Sequence, residues 1–137
     1  MDYLIHQLLD NQKSKEIKLE ILKQNHLWED GRKTAGSHAS LVKNNLQLNK
    51  DSETSIINSE KIISAIESDQ LIKSFALPKK IHSVMFTRTS NSQGYGMHVD
   101  NPYMKLGRSD LSFTLFLSNP DEYEGGEISI QTIQDTQ

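Results

Sequence analysis

The stretch that decides the fold reads Gly94-Tyr95-Gly96-Met97-His98-Val99-Asp100-Asn101, and it carries a His-x-Asp pair between segments of alternating residues. In extended backbone, side chains two residues apart point to the same face, so His98 and Asp100 would lie side by side. An imidazole nitrogen and a carboxylate oxygen are two ligands of the 2-His-1-carboxylate triad that holds non-haem Fe(II). A surface histidine beside a turn aspartate would give the same short pattern.

Apolar and polar residues alternate on both sides of this stretch, which is typical of β-strands. The alternating segments are 81–88, 111–117 and 127–133. Turn residues at Asn119-Pro120-Asp121 and Gly125-Gly126 separate the last two. We therefore expect these two to be neighbouring antiparallel strands joined by a wide turn.

The residues before Pro78 have helical periodicity instead. We predict three helices, over 12–25, 53–67 and 69–76. Ser14 would be the N-cap of the first, and Ser52 or Thr54 that of the second. The third must end near Pro78, because the residue before a proline disfavours the helical conformation. Residues 27–46 contain turn signals and are expected to be irregular. Helices followed by strands predict an α+β fold, or an all-β sandwich with a helical flank.

Length and composition describe one globular domain of 137 residues. The formal net charge is −3 and the lysines are scattered among acidic residues, so we expect no nucleic-acid partner. The absence of cysteine excludes disulfides, thiolate metal sites and cysteine nucleophiles. No leader pattern or long apolar run is visible, which predicts a cytoplasmic protein with no membrane contact.

Several longer blocks extend the pattern around the His-x-Asp pair over most of the chain. They are Leu27-Trp28-Glu29-Asp30-Gly31-Arg32 with Thr34-Ala35-Gly36, Val42-Lys43-Asn44-Asn45-Leu46-Gln47-Leu48, Met85-Phe86-Thr87-Arg88, Arg108 to Ser118, and Asp121 to Glu127. Together with Gly96 to Asn101 they resemble the PKHD-type hydroxylases, which are prolyl-4-hydroxylase-like Fe(II)/2-oxoglutarate-dependent dioxygenases. The resemblance covers roughly residues 1–133.

The resemblance implies a double-stranded β-helix (jelly-roll) oxygenase core with N-terminal flanking helices. Residues 1–78 would form the helical and irregular flank, and residues 79–137 the first part of the oxygenase domain. The implied reaction inserts oxygen from O2 into a C–H bond of a small-molecule or protein substrate. It consumes 2-oxoglutarate as co-substrate, releases succinate and CO2, and uses ascorbate (vitamin C) to maintain the iron.

Site residues follow from the same resemblance. His98 and Asp100 match the first two iron ligands, and Tyr95 lies where related hydroxylases often place an aromatic residue near the co-substrate. Tyr95 would serve equally well as a core residue of the sheet. Arg88 is a candidate for closing the pocket, with a solvated arginine at a strand end as the alternative. Three polar residues could line a substrate entrance or cap an irregular loop, namely Asn44, Asn45 and Gln47.

Two residues of the family pattern have no match in the 137 residues. No histidine follows His98, and Arg108, which matches a different block, is the only arginine after Asp100. The distal histidine ligand and the arginine that binds 2-oxoglutarate are therefore absent, which predicts a chain truncated at its C-terminus, with the last barrel strands missing. The alternatives are a non-catalytic remnant or binding module, and a homo-oligomer that closes the barrel by exchanging strands. The substrate cannot be read from the sequence.

Overall fold

The computed structural model describes residues 3–35, 39–104 and 107–131. Three helices lie in these ranges: α1 (Asn11–Leu22), α2 (Glu53–Ser68) and α3 (Gln70–Ala76). Short 3-10 turns are placed at Asn25–Leu27, Gly31–Thr34, Ala39–Leu41 and Pro120–Glu122. The same ranges contain seven short strands, β1 (Trp28–Asp30), β2 (Lys43–Asn44), β3 (Leu46–Leu48), β4 (Thr87–Arg88), β5 (Gly94–Tyr95), β6 (Tyr103–Met104) and β7 (Gly107–Arg108).

Side-chain caps set where the helices begin. The Asp10 carboxylate accepts a hydrogen bond of 2.8 Å from the backbone N–H of Lys13, so α1 starts earlier than predicted and the Ser14 cap was wrong. The physical reason is that Asp10 reaches the unsatisfied amides of the first turn, whereas Ser14 already lies within it. Ser52 caps α2, as predicted. Helix α3 ends when Leu77 adopts a left-handed conformation just before Pro78.

The strands form three small antiparallel sheets within the described ranges. The first has the order β1-β3-β4, with Trp28 opposite Leu48 and Leu46 opposite Arg88. The second pairs β2 with β5, and the third pairs β6 with β7. Three of these strands lie wholly or partly in residues 27–46, so the expectation of irregular structure there was wrong for the strand residues, whereas 3-10 turns occupy Gly31–Thr34 and Ala39–Leu41. Two- and three-residue strands carry too few alternating positions to be seen without their partners.

The strands predicted after residue 80 are shorter than expected or not formed. Within 81–88 only Thr87 and Arg88 form a strand, and residues 109–131 contain no strand. Residues 132 and 133 of the last prediction lie outside the described ranges. Alternation reports which side of the chain is apolar, but a strand also needs a neighbouring strand to accept its hydrogen bonds. No described segment pairs with 111–117 or with 127–131.

The core lies between α1, α2 and the first sheet. Its buried members are Leu9, Ile17, Ile21, Leu48, Ile62, Ile66 and Phe86. Leu115 and Leu117 pack against this cluster from outside, although their segment is not a strand. Helices packed on antiparallel sheet confirm the α+β class, whereas the jelly-roll core stays a prediction. No helix in the described ranges combines the length and the apolar composition needed to cross a lipid bilayer.

The division at residue 78 also stays a prediction. Strand β2 pairs with β5, and β3 pairs with β4, so two of the sheets join a strand from residues 1–78 to a strand from residues 79–137. These pairings bring the segment that carries His98 against the N-terminal half of the chain, which positions the candidate site.

Candidate functional site

The pairing of β5 with β2 fixes the backbone just before His98. Lys43 lies opposite Tyr95, and the backbone N–H of Gly96 donates a 2.8 Å hydrogen bond to the carbonyl of Val42. A Cβ on residue 96 would lie 3.0 Å from the Cβ of Val42, which is closer than ordinary contacts allow. The absence of a side chain at Gly96 therefore permits this close approach. His98 lies two residues after Gly96, just beyond the end of β5.

The imidazole of His98 is held in one tautomer by its own backbone. Its Nδ1 lies 2.8 Å from the carbonyl oxygen of Gly96. Because a carbonyl oxygen only accepts hydrogen bonds, Nδ1 must carry the proton and donate it. In the neutral ring the lone pair is then on Nε2, the atom that faces Asp100. A backbone carbonyl on one ring nitrogen and a free lone pair on the other is the arrangement that metal-binding histidines adopt.

Nε2 of His98 lies 3.2 Å from Oδ1 of Asp100. An imidazole nitrogen and a carboxylate oxygen at this separation can both bind one metal ion. Two ligands each about 2.1 Å from a metal and at right angles would be about 3.0 Å apart. The observed separation is therefore suited to adjacent positions on one metal ion. The predicted pairing of these two side chains is present in the structure.

The described residues supply no further ligand. Across 3–35, 39–104 and 107–131, no group of three or more histidine, cysteine, aspartate or glutamate side chains could hold a metal ion. Two other histidines are engaged elsewhere, since Nε2 of His6 lies 2.7 Å from the Asp69 carboxylate and Nε2 of His82 lies 3.0 Å from the carbonyl of Arg108. The site in the described part of the chain is thus a two-residue site.

Tyr95 stacks on the imidazole of His98. Their ring centroids are 3.9 Å apart and the planes are inclined by 15°. Burial raises the pKa of the Tyr95 phenol, and the neighbouring Asp100 carboxylate raises it further. The phenol therefore keeps its proton near neutral pH and can donate a hydrogen bond. The stacking also restricts rotation of the His98 ring, which complements the hydrogen bond at Nδ1.

Arg88 lies in the first sheet rather than beside β5. Its guanidinium carbon is 5.1 Å from the centroid of the Trp28 ring, a separation typical of a cation–π contact. Trp28 is itself fixed by its indole N–H, which donates to the carbonyl of Ile21 at 3.3 Å. Nε of Arg88 is buried and has no hydrogen-bond partner in the described residues. Its role in closing a pocket stays a prediction.

The polar residues of 43–47 alternate between buried and more exposed positions. Lys43, Asn45 and Gln47 are buried, with 5%, 5% and 3% of their surface exposed. Asn44 is exposed, and its side chain reaches the carbonyl of Ser92 at 3.5 Å. The predicted trio is therefore divided, since Asn45 and Gln47 face inward and Asn44 faces outward. Sequence reasoning missed Lys43, although its two-residue spacing from Asn45 would have placed it on the same side.

A cleft of about 860 Å³ lies beside β2, and its lining includes three cations. Arg32, Lys33 and Lys43 all contribute to its described lining. The Nε–H of Arg32 donates a bifurcated hydrogen bond to the two oxygens of the Asp30 carboxylate, each 3.0 Å from Nε, and Nζ of Lys33 lies 2.9 Å from the Glu29 carboxylate. Two of the three cations are therefore paired with acids in the adjacent strand β1.

The pair at the rim of this cleft predicts a pH-dependent contribution to stability. Hydrogen bonds from the side chain and the backbone N–H of Arg32 lower the pKa of Asp30 to about 2. Because the folded pKa is depressed, the contribution is complete above the ordinary aspartate range and is lost as the pH falls toward about 2. We expect Asp30→Asn to destabilise the protein near neutral pH but not at a pH of about 2. The amide oxygen of asparagine can still accept the hydrogen bond from the backbone N–H of Arg32, so the substitution removes the charge and keeps this bond. Urea unfolding of both proteins over this pH range measures the difference, and a constant difference would contradict the assignment.

Comparison with known proteins gives consistent matches. The chain is 62% identical over 134 residues to a PKHD-type hydroxylase of Prochlorococcus marinus strain MIT 9211, covering 98% of this chain and 61% of that protein. It is 60% identical over 136 residues to a PKHD-type hydroxylase of strain SARG, and 51% identical over 137 residues to one of strain NATL1A. These two matches cover 99% and 100% of this chain, and 62% of each relative. No protein-family model and no solved structure matches the chain.

Proposed function

By sequence the chain belongs to the PKHD-type hydroxylases, and we propose that it acts as an Fe(II)- and 2-oxoglutarate-dependent dioxygenase. The reaction would insert oxygen into a C–H bond of the substrate with release of succinate and CO2. The chain spans about 61% of the length of the relatives it matches. The observation that carries the proposal is the 3.2 Å approach of His98 Nε2 to Asp100 Oδ1, with Nδ1 committed to the Gly96 carbonyl.

The donor set of these two residues suits Fe(II). An imidazole nitrogen and a carboxylate oxygen are the ligand types of the 2-His-1-carboxylate triad, which leaves positions open for co-substrate and oxygen. Fe(II) bound there would supply the activation of O2 that couples decarboxylation of 2-oxoglutarate to hydroxylation. The proposal requires a third ligand from outside the described residues, because none of those residues completes the triad.

The surrounding residues would orient the ligands and the co-substrate. The Gly96 carbonyl keeps the proton on Nδ1 of His98, so that Nε2 remains available. The Tyr95 ring holds the imidazole plane from one side. Its protonated phenol could donate a hydrogen bond to a carboxylate of 2-oxoglutarate, and Arg88 is the second candidate for contact with that co-substrate. Ascorbate, as a reductant, would keep the iron in its Fe(II) state. We further propose that the short strands belong to a jelly-roll core.

A second candidate function is a binding module without catalysis. The observation that favours it is the two-residue site, because a metal held by two protein ligands binds less tightly and in a less defined geometry than one held by three. Such a module would bind its ligand without consuming 2-oxoglutarate.

The release of succinate separates the two candidates. The protein is supplied with Fe(II), ascorbate and 2-oxoglutarate in air, and succinate is measured without added substrate, since uncoupled turnover reports the co-substrate step alone. We expect Asp100→Ala to remove the metal-dependent succinate, because it deletes the carboxylate ligand. Asp110→Ala is the matched control, since Asp110 has the same side-chain exposure of 64% and also pairs with a residue two positions earlier.

Each result of this experiment decides between the candidates. Succinate from the unmodified protein and from Asp110→Ala, but not from Asp100→Ala, supports the dioxygenase. Absence of metal-dependent succinate from the unmodified protein, or equal release from all three, overturns it and favours the binding module.

A further inference from the structure

Lys43 is a buried cation without a carboxylate partner in the described residues. Only 5% of its surface is exposed, and no carboxylate of the described ranges lies within 4.0 Å of its Nζ. A buried ammonium is costly unless it is paired or hydrogen-bonded. The contacts that the structure gives Nζ are the Gln47 amide oxygen at 3.4 Å and the face of the Tyr95 ring, whose centroid is 5.1 Å away. Both contacts are weaker than an ion pair.

The surroundings of Lys43 leave room for a ligand. Lys43 lines the cleft of about 860 Å³, a volume in the range of small-molecule sites. Burial lowers the pKa of its ammonium, and the Asp30 charge opposes this effect. A carboxylate that enters the cleft would supply the missing opposite charge in a charge-assisted contact with the ammonium.

The backbone of Gly31 packs closely against the side chains of Lys43 and Asn45. A Cβ built on Gly31 would lie 3.0 Å from Cε of Lys43 and 2.2 Å from Oδ1 of Asn45. Glycine at position 31 therefore allows both polar side chains to approach its backbone. Oδ1 of Asn45 is buried without a hydrogen-bond partner in the described residues. Two buried polar groups thus meet beside the cleft with incomplete partners, which is unusual for residues that only support the fold.

The cleft is connected to the candidate metal site through stacked side chains. Lys43 lies directly across the β2–β5 pair from Tyr95, with its ammonium over the ring. The other neighbour of that ring is His98, at a centroid distance of 3.9 Å. A molecule anchored at Lys43 would therefore reach the His98–Asp100 pair by passing one aromatic side chain.

We infer that Lys43 binds a carboxylate of the substrate, so that the substrate is a small carboxylic acid held in the cleft between β2 and the 3-10 turns. This inference rests on the proposed function for the identity of the site. The carboxylate would pair with the ammonium, and the rest of the molecule would extend past Tyr95 toward the metal ligands. The recognition of the acid itself requires no metal.

Binding of glutarate to the metal-free protein tests this inference. Glutarate carries carboxylates but lacks the 2-oxo group that chelates iron, so it reports the lysine and not the metal. Its affinity is measured by NMR on protein labelled at lysine side chains, following the Lys43 methylene resonances. We expect Lys43→Met to weaken glutarate binding by roughly 10- to 100-fold, the loss of one charge-assisted contact. Lys43→Arg should restore part of the affinity, and Lys61→Met, which removes a lysine paired with Glu20, should change nothing.

A parallel titration of the Fe(II)-loaded protein with 2-oxoglutarate distinguishes substrate from co-substrate. Glutarate has the carbon skeleton of 2-oxoglutarate, so it would also bind at a lysine that serves the co-substrate. If Lys43→Met weakens the binding of 2-oxoglutarate to the Fe(II)-loaded protein, whether or not glutarate binding is weakened as well, Lys43 serves the co-substrate and the inference is overturned. If neither ligand is affected, Lys43 is structural and the inference is likewise overturned. Methionine has a similar length and removes a buried charge, so the variant should fold, and its thermal midpoint confirms this. Glutarate binding stays measurable even if His98 and Asp100 hold no metal, so the two proposals fail separately.

Discussion

Replacement of His98 by alanine is expected to weaken Fe(II) binding by roughly 100-fold or more. Loss of a residue that only orients a metal ligand typically costs about 10- to 100-fold in affinity, so loss of the ligand itself should cost at least the upper end of that range. Removing the imidazole also removes the partner of the Tyr95 ring, and it leaves the Asp100 carboxylate as a single ligand. Anaerobic calorimetric titration with Fe(II) measures the change.

His26→Ala is the control for this titration. His26 is exposed and belongs to the 3-10 turn Asn25–Leu27, well separated in sequence from β5. Its substitution should leave Fe(II) affinity unchanged. Equal affinities for the His98 variant and the control would show that iron binds elsewhere, and the assignment of Nε2 as a ligand would then be wrong.

The second large effect is expected in the core, at Leu48. Its side chain is 1% exposed, and its backbone N–H donates a 2.9 Å hydrogen bond to the carbonyl of Phe86. Because Leu48 ends the central strand β3 and packs into the cluster with Ile62, alanine would leave a cavity that neighbouring strands cannot fill. We expect Leu48→Ala to reduce the free energy of unfolding by about 2–5 kcal/mol.

Urea denaturation followed by circular dichroism measures this loss, with Leu41→Ala as the matched control. Leu41 is 83% exposed, so its truncation should change stability by no more than about 0.5 kcal/mol. A loss at Leu48 as small as that at Leu41 would mean that β3 is not part of the folding core. The pairing that places β2 and Lys43 beside β5 would then also be in doubt.

Local signals explain which parts of the fold could be predicted from the sequence. The three helices were found because each has apolar residues at helical spacing and a proline or polar cap at an end. The strands of residues 28–48 were missed because each has only two or three residues, and because β2 and β3 also pair with strands far along the chain, as Leu46 does with Arg88. Residues 111–117 are the opposite case, a strand that was predicted but is not formed. They alternate as a strand would, yet no described segment pairs with them.

The candidate site also has one part that could be predicted from the sequence and one part that could not. The His98–Asp100 pair was predictable because both residues lie in one short segment, and their spacing alone places them together. The burial of Lys43 was not predictable, since a lysine between valine and asparagine indicates a solvated position. Its surroundings arise from the pairing with Tyr95 and from the approach of Gly31, and neither contact is visible without the fold.

The central claim is that His98 and Asp100 hold Fe(II) together with 2-oxoglutarate, and one measurement tests it most directly. The purified protein is titrated anaerobically with Fe(II) and then with 2-oxoglutarate while the visible charge-transfer absorption of the chelate is recorded. We predict a saturable band in the unmodified protein and in Asp110→Ala, and no band in Asp100→Ala. No band in the unmodified protein, or an undiminished band in Asp100→Ala, would contradict the account.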